Sequence, residues 1–178
     1  LRGAGGFYAH GSNTITLDTR FAKLLDEGFE RRGRGDKLTT PQVEAFHVIN
    51  HELTHARSYP SRDFSLLRYD EKHGHLLEEG IVERRSRKIK EDTFGKYSIG
   101  GTYYGRAYSG EVAFFDRLVE LHGEEAFDKI WETTTVEDRI ALVGKYMRKE
   151  LIRYVEDYPH LSSEQRSATL ELLRGGED

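Results

Sequence analysis

Six apolar residues toward the end of the chain, Val136, Ile140, Val143, Met147, Leu151 and Tyr154, recur every three or four positions, a run ended by Pro159. Only a helix puts residues at that spacing on one face. So long a stripe has to be buried against other elements, which commits the chain to a helical core. Shorter runs repeat the period: Val112, Phe115 and Val119, ended by Gly123, then Phe127, Ile130 and Trp131. Near the start, Phe21, Leu24, Leu25 and Phe29 follow Asp18, which stands where an N-cap belongs. Ser162 with Gln165 forms a capping box for a last helix, with Gly175 past its end. The β signal is confined to FYAH and TITL, two short runs separated by Gly11-Ser12-Asn13, which predict a hairpin. RRGRGDKL predicts a loop, and KYSIGGTYYGRAYSG a loop or short strand. With 178 residues and no internal repeat, one domain is expected. Its fold class is α+β, predominantly helical: a β element and a helix within 7–60, a second helix within 61–95, and a helical part over 96–178.

Thr40-Pro41 opens the helix of the first segment, with proline at its first position, and Pro60 stops it. Residues 51–55 on this helix read HELTH. Positions i and i+4 lie about 5–6 Å apart at Cβ, so His51 and His55 project from one face. They can share a Zn²⁺ ion at about 2.0–2.1 Å from each nitrogen. Glu52 follows one step round the helix, beside the metal without binding it, where it can take a proton from activated water and pass it to a leaving group. His47 lies one turn earlier on the same face. Three histidines spanning about 12 Å along the axis cannot share one ion, so His47 is expected to be a polar neighbour.

A catalytic zinc site takes a third protein ligand and keeps one position open. Asp63, Asp70, His73, His75, Glu78, Glu79 and Glu83 are the downstream donors. An HExxHxxGxxH arrangement fails, because Ser58 and Ser61 occupy its glycine and third histidine. LLEEGIVE is the better source. On a helix Glu79 and Glu83 share a face and Glu78 is turned about 100° away. One of the pair can bind zinc while the other accepts a hydrogen bond from a ligand histidine's free N–H.

HELTH followed by a Glu-bearing helix resembles the gluzincin clan, where the third zinc ligand is a glutamate on the helix after the HExxH helix. Glu79-Gly80 is similar to the Glu-Gly step of the gluzincin aminopeptidases. Glu79 with Glu83 is similar to the thermolysin ligand and the acid that supports it. Glu78-Glu79 is similar to the double glutamate of botulinum-type light chains. All three place the third ligand at Glu79. The resemblance spans about residues 40–90 and implies a zincin-like fold in which the β element supplies an edge strand. GGTYYG is similar to an aspzincin motif, but Tyr104 stands where the aspartate ligand belongs, so no ligand is expected there.

Hydrolysis of a peptide bond builds negative charge on the carbonyl oxygen, and a Tyr, His or Arg commonly stabilises it. Tyr108 is the first candidate, since it directly precedes the expected N-cap Ser109; Tyr104 is the second and Arg106 a weaker third. His10, His122 and His160 are expected at the surface or at caps. Glu111 begins a helix, where its charge suits the dipole. With no cysteine, any metal must be held by His and carboxylate. A net charge of −4 is no match for nucleic acid. The basic runs Arg31, Arg32, Arg34, Lys37 and Arg84, Arg85, Arg87, Lys88, Lys90 are expected to be a solvated loop and a solvated helix face. No apolar run suits a membrane and no signal peptide is visible; with Leu1 at its head, the chain is expected to be a processed or excised piece of open compartment. The expected activity is zinc-dependent peptide-bond hydrolysis, with a peptide or protein substrate laid along TITL by backbone pairing. The alternatives are a narrow-specificity effector or toxin protease and a zinc-binding interaction domain without turnover.

Overall fold

The computed structural model describes residues 5–9, 11–58, 76–96, 108–157, 161–163 and 165–167. The described residues are predominantly helical, with one small antiparallel sheet. Two compact units divide the chain: Leu1–Arg57 with Arg85–Ala107, and Ser58–Arg84 with Tyr108–Asp178.

The first unit opens with the expected hairpin. Strand β1 (Gly6–Ala9) pairs with β2 (Thr14–Leu17) in the register Gly6↔Leu17 to Ala9↔Thr14. Asn13 takes a left-handed backbone at φ 51°, a conformation asparagine tolerates in a tight turn. Asp18 caps helix α1 (Thr19–Gly33) by accepting from the Arg20 N–H at 2.8 Å. The helix runs through Arg31 and Arg32, so only the later part of RRGRGDKL is loop, and Gly35 takes φ +82° there. Helix α2 (Thr40–Arg57) packs on α1 through the rings of Phe29 and Phe46, 4.9 Å apart edge to face. Gly28 permits the approach, because a Cβ there would fall 2.7 Å from the Phe46 ring. The Gln42 side chain caps the start of α2 by accepting from the Thr39 N–H at 3.0 Å. Pro41 is thus the second helical residue, where a missing N–H is still harmless.

Helix α3 (Ile81–Lys96) follows a single π-helical turn, Leu76–Gly80. Asn50 Nδ2 on α2 donates to the Ser86 carbonyl of α3 at 2.9 Å.

The second unit holds the main apolar core. Helices α4 (Ser109–His122), α5 (Glu124–Trp131) and α6 (Val136–Asp157) bury Phe115, Leu118, Phe127, Ile130, Val143, Met147 and Leu151 around Leu76, Leu77 and Ile81. The periodicities read from sequence supply these faces. Gly123, at φ +82°, ends α4 and starts α5. The α6 stripe is interrupted by a kink: Met147 has φ −123° and ψ 21°. Ser162 and Gln165 form the reciprocal capping box, at 3.0 and 3.1 Å. Arg84 departs from the solvated face expected of it. It is buried over the Phe127 ring, 4.3 Å from the centroid, and its guanidinium binds Glu124 and Asp116 at 2.9 and 3.0 Å. His122 is exposed, as expected, with its Nε2 3.0 Å from the Tyr146 carbonyl. Among the described residues no helix is long and apolar enough to cross a membrane.

Gly80 is the tightest point of this core. A Cβ there would meet the Glu111 Cβ at 2.7 Å and the Phe115 ring at 3.2 Å. Overpacking of this kind costs about 1–3 kcal/mol. It outweighs the helix propensity of alanine, about 1 kcal/mol over glycine, because the opposing Cβ is fixed to the α4 backbone. Gly80→Ala is therefore expected to lower stability in urea titration, and an unchanged or raised midpoint would show that the π turn can slide away from α4.

Candidate metal centre

Most amphipathic helices bury leucines; α2 buries Gln42, His47, His51, Glu52, Thr54 and His55 beside Val43 and Ala45, and leaves Leu53 42% exposed. Burying polar side chains is costly unless they are partnered, so these inward groups depend on specific contacts. Thr54 Oγ1 donates to the Asn50 carbonyl at 2.7 Å. His51 and His55, one turn apart, stack edge to face with ring centroids 4.8 Å apart, and their Nε2 atoms approach to 3.1 Å. Two nitrogens about 2.0–2.1 Å from a tetrahedral ion are about 3.3 Å apart. The pair is thus spaced to grip one cation. His47 lies a turn earlier, its ring 6.5 Å from that of His51, which fits a polar neighbour. Glu52 is buried on the same turn.

Glu79 is half-buried in the π turn, and Glu83, four residues on, is buried in the first turn of α3. Among the described residues, His51, His55 and Glu79 group as candidate metal ligands, with one donor atom from each lying within 4.8 Å of the others. Two imidazole nitrogens and a carboxylate oxygen, with no thiolate in the chain, are a donor set zinc accepts, and π turns inside helices recur at functional sites.

Glu78 meets an environment that helical spacing alone does not foretell. It is fully buried and accepts from Arg139 Nη1 at 2.8 Å. The signal was present: Arg139 lies three residues after Val136 and four before Val143, on the apolar face of α6. Glu111 does more than complement the helix dipole. It is buried, and Tyr154 Oη donates to it at 3.2 Å across 43 residues of sequence.

Tyr108, not Ser109, is the N-cap of α4, because Ser109 already has helical geometry and the Tyr108 carbonyl accepts the Val112 N–H at 2.9 Å. Tyr108 has φ 52° and ψ 30°, and a left-handed backbone costs a non-glycine residue about 1–3 kcal/mol. Asp63, Asp70, His73, His75, Tyr104, Arg106, His10 and His160 lie outside the described residues. Compared with protein-family models, curated proteins and solved structures, the chain gives no match.

Proposed function

We propose that this chain is a zinc-dependent peptide hydrolase with a gluzincin-type site on a zincin-like fold. The observation that carries the reading is the convergence of His51, His55 and Glu79 beside a buried carboxylate, Glu52, in HExxH order. His51, His55 and Glu79 would hold the ion. Zinc in such a site supplies Lewis acidity, bringing the pKa of water toward neutrality and polarising a carbonyl. Glu52 takes the proton of the attacking water and delivers it to the departing amine. Glu83 accepts a hydrogen bond from a ligand ring's second nitrogen, which fixes the tautomer. Tyr108 donates to the carbonyl oxygen as charge builds on it. The substrate backbone pairs with β2 as an added strand.

Elemental analysis of protein purified without chelator tests the centre. Wild type should hold about one zinc per chain, and Glu79→Ala should show clear loss. Zinc retained in full by Glu79→Ala would move the third ligand elsewhere. No zinc in the wild type, even after it is added back, would remove the reading altogether.

A further inference from the structure

Arg139 and Glu78 are both fully buried, at 0% side-chain exposure. Replacing a buried ion pair with apolar residues of similar volume is often neutral or stabilising, so stability alone is a weak reason for a chain to keep one. What the pair fixes is more informative. Arg139 Nη1 holds Glu78 Oε2 at 2.8 Å, and Nη2 donates to Ser58 Oγ at 3.2 Å. Ser58 Oγ lies 3.5 Å from the same Glu78 oxygen. The guanidinium is further anchored just before α6, through the Thr133 hydroxyl at 3.3 Å and, at 3.4 Å, the carbonyl of Trp131, the last residue of α5. Glu78 precedes Glu79 within the π turn, and Ser58 follows His55 by three residues. The guanidinium therefore grips the immediate sequence neighbour of one metal ligand and the segment that leaves the other two.

A π turn is a wide, locally disfavoured turn, so tertiary contacts hold its rotation: Leu76 and Leu77 in the core, Gly80 against α4, and Arg139 on Glu78. Clamping Glu78 sets that rotation and with it the direction in which Glu79 leaves the backbone. We infer that Arg139 is a positioning residue of the metal centre: through Glu78 and Ser58 it fixes the turn that presents Glu79 and thereby sets zinc affinity. This rests on the reading of Glu79 as a ligand.

The test uses the full chain as wild type, as Arg139→Met with Glu78→Leu, and as Arg139→Lys. Zn²⁺ alone is titrated in competition with a chromophoric chelator, and urea midpoints of the metal-free proteins are measured alongside. The apolar double variant should unfold at no lower urea than wild type and yet bind zinc about 10–100-fold more weakly, as supports of metal ligands do when replaced. Arg139→Lys, which keeps the charge and loses the planar fork, should fall between the two. A purely structural role would move the urea midpoint and leave the affinity of the folded protein alone. Wild-type affinity in the folded double variant overturns the inference. Should that variant fail to fold, folded Arg139→Lys decides: weakened binding sustains the inference, and wild-type binding overturns it. A wild type that binds no zinc overturns the metal centre itself, and the inference with it, a result distinct from failure of the clamp alone.

Discussion

Glu52→Gln is expected to lose peptide hydrolysis by about 10²–10⁴-fold, the usual worth of a positioned general base, while holding as much zinc as the wild type. Glutamine has nearly the shape of glutamate but cannot take a proton from water. Glu52 is not one of the three converging donors, and it lies inside a capped helix. Activity and zinc content should therefore separate. The measurement is kcat/KM on a peptide library read by mass spectrometry, with elemental analysis of the same preparations. Full activity in the variant would place the base elsewhere. Equal inertness of both proteins on every peptide would favour a zinc-binding domain without turnover. Loss of zinc along with activity would make Glu52 part of the metal's hold.

The local parts of this architecture were readable from sequence because each is decided within a few residues. Asp18 caps α1, Ser162 and Gln165 close their box, and the α4 and α6 stripes face the core because helical period alone puts them there. His51 and His55 converge for the same reason, since a single helical turn brings i and i+4 together. What the sequence did not yield are the contacts made across long separations. Glu78 meets Arg139 across 61 residues and Arg84 meets Glu124 across 40, and each turns an expected surface or spare charge into a buried one. The π turn was also out of reach: an ordinary α-helical repeat places Glu79 and Glu83 on one face, and nothing local marks the wider turn at Leu76–Gly80. Packing marks it instead, through the close approach of Gly80 to Glu111.

Arg139→Met should be the most destabilising of these single substitutions, by about 3–5 kcal/mol. That is a large share of the roughly 5–15 kcal/mol that holds a typical domain together. The cause is not the loss of attraction as such. Removing the guanidinium takes a cation at 2.8 Å away from a carboxylate that is fully buried. Urea titration of the chelator-treated protein measures the cost. Adding Glu78→Leu to the same chain should recover it, because the buried charge is then gone and an apolar side chain takes its place in a fully buried position. A single substitution costing less than about 1 kcal/mol would mean that Glu78 finds water or a proton once Arg139 is gone. A double variant as unstable as the single would shift the weight to the hydrogen bonds with Trp131 and Thr133. If the stability returns and zinc affinity does not, the ion pair's contribution is to conformation: it selects one rotation of the turn that carries Glu79, at no gain in stability over an apolar pair.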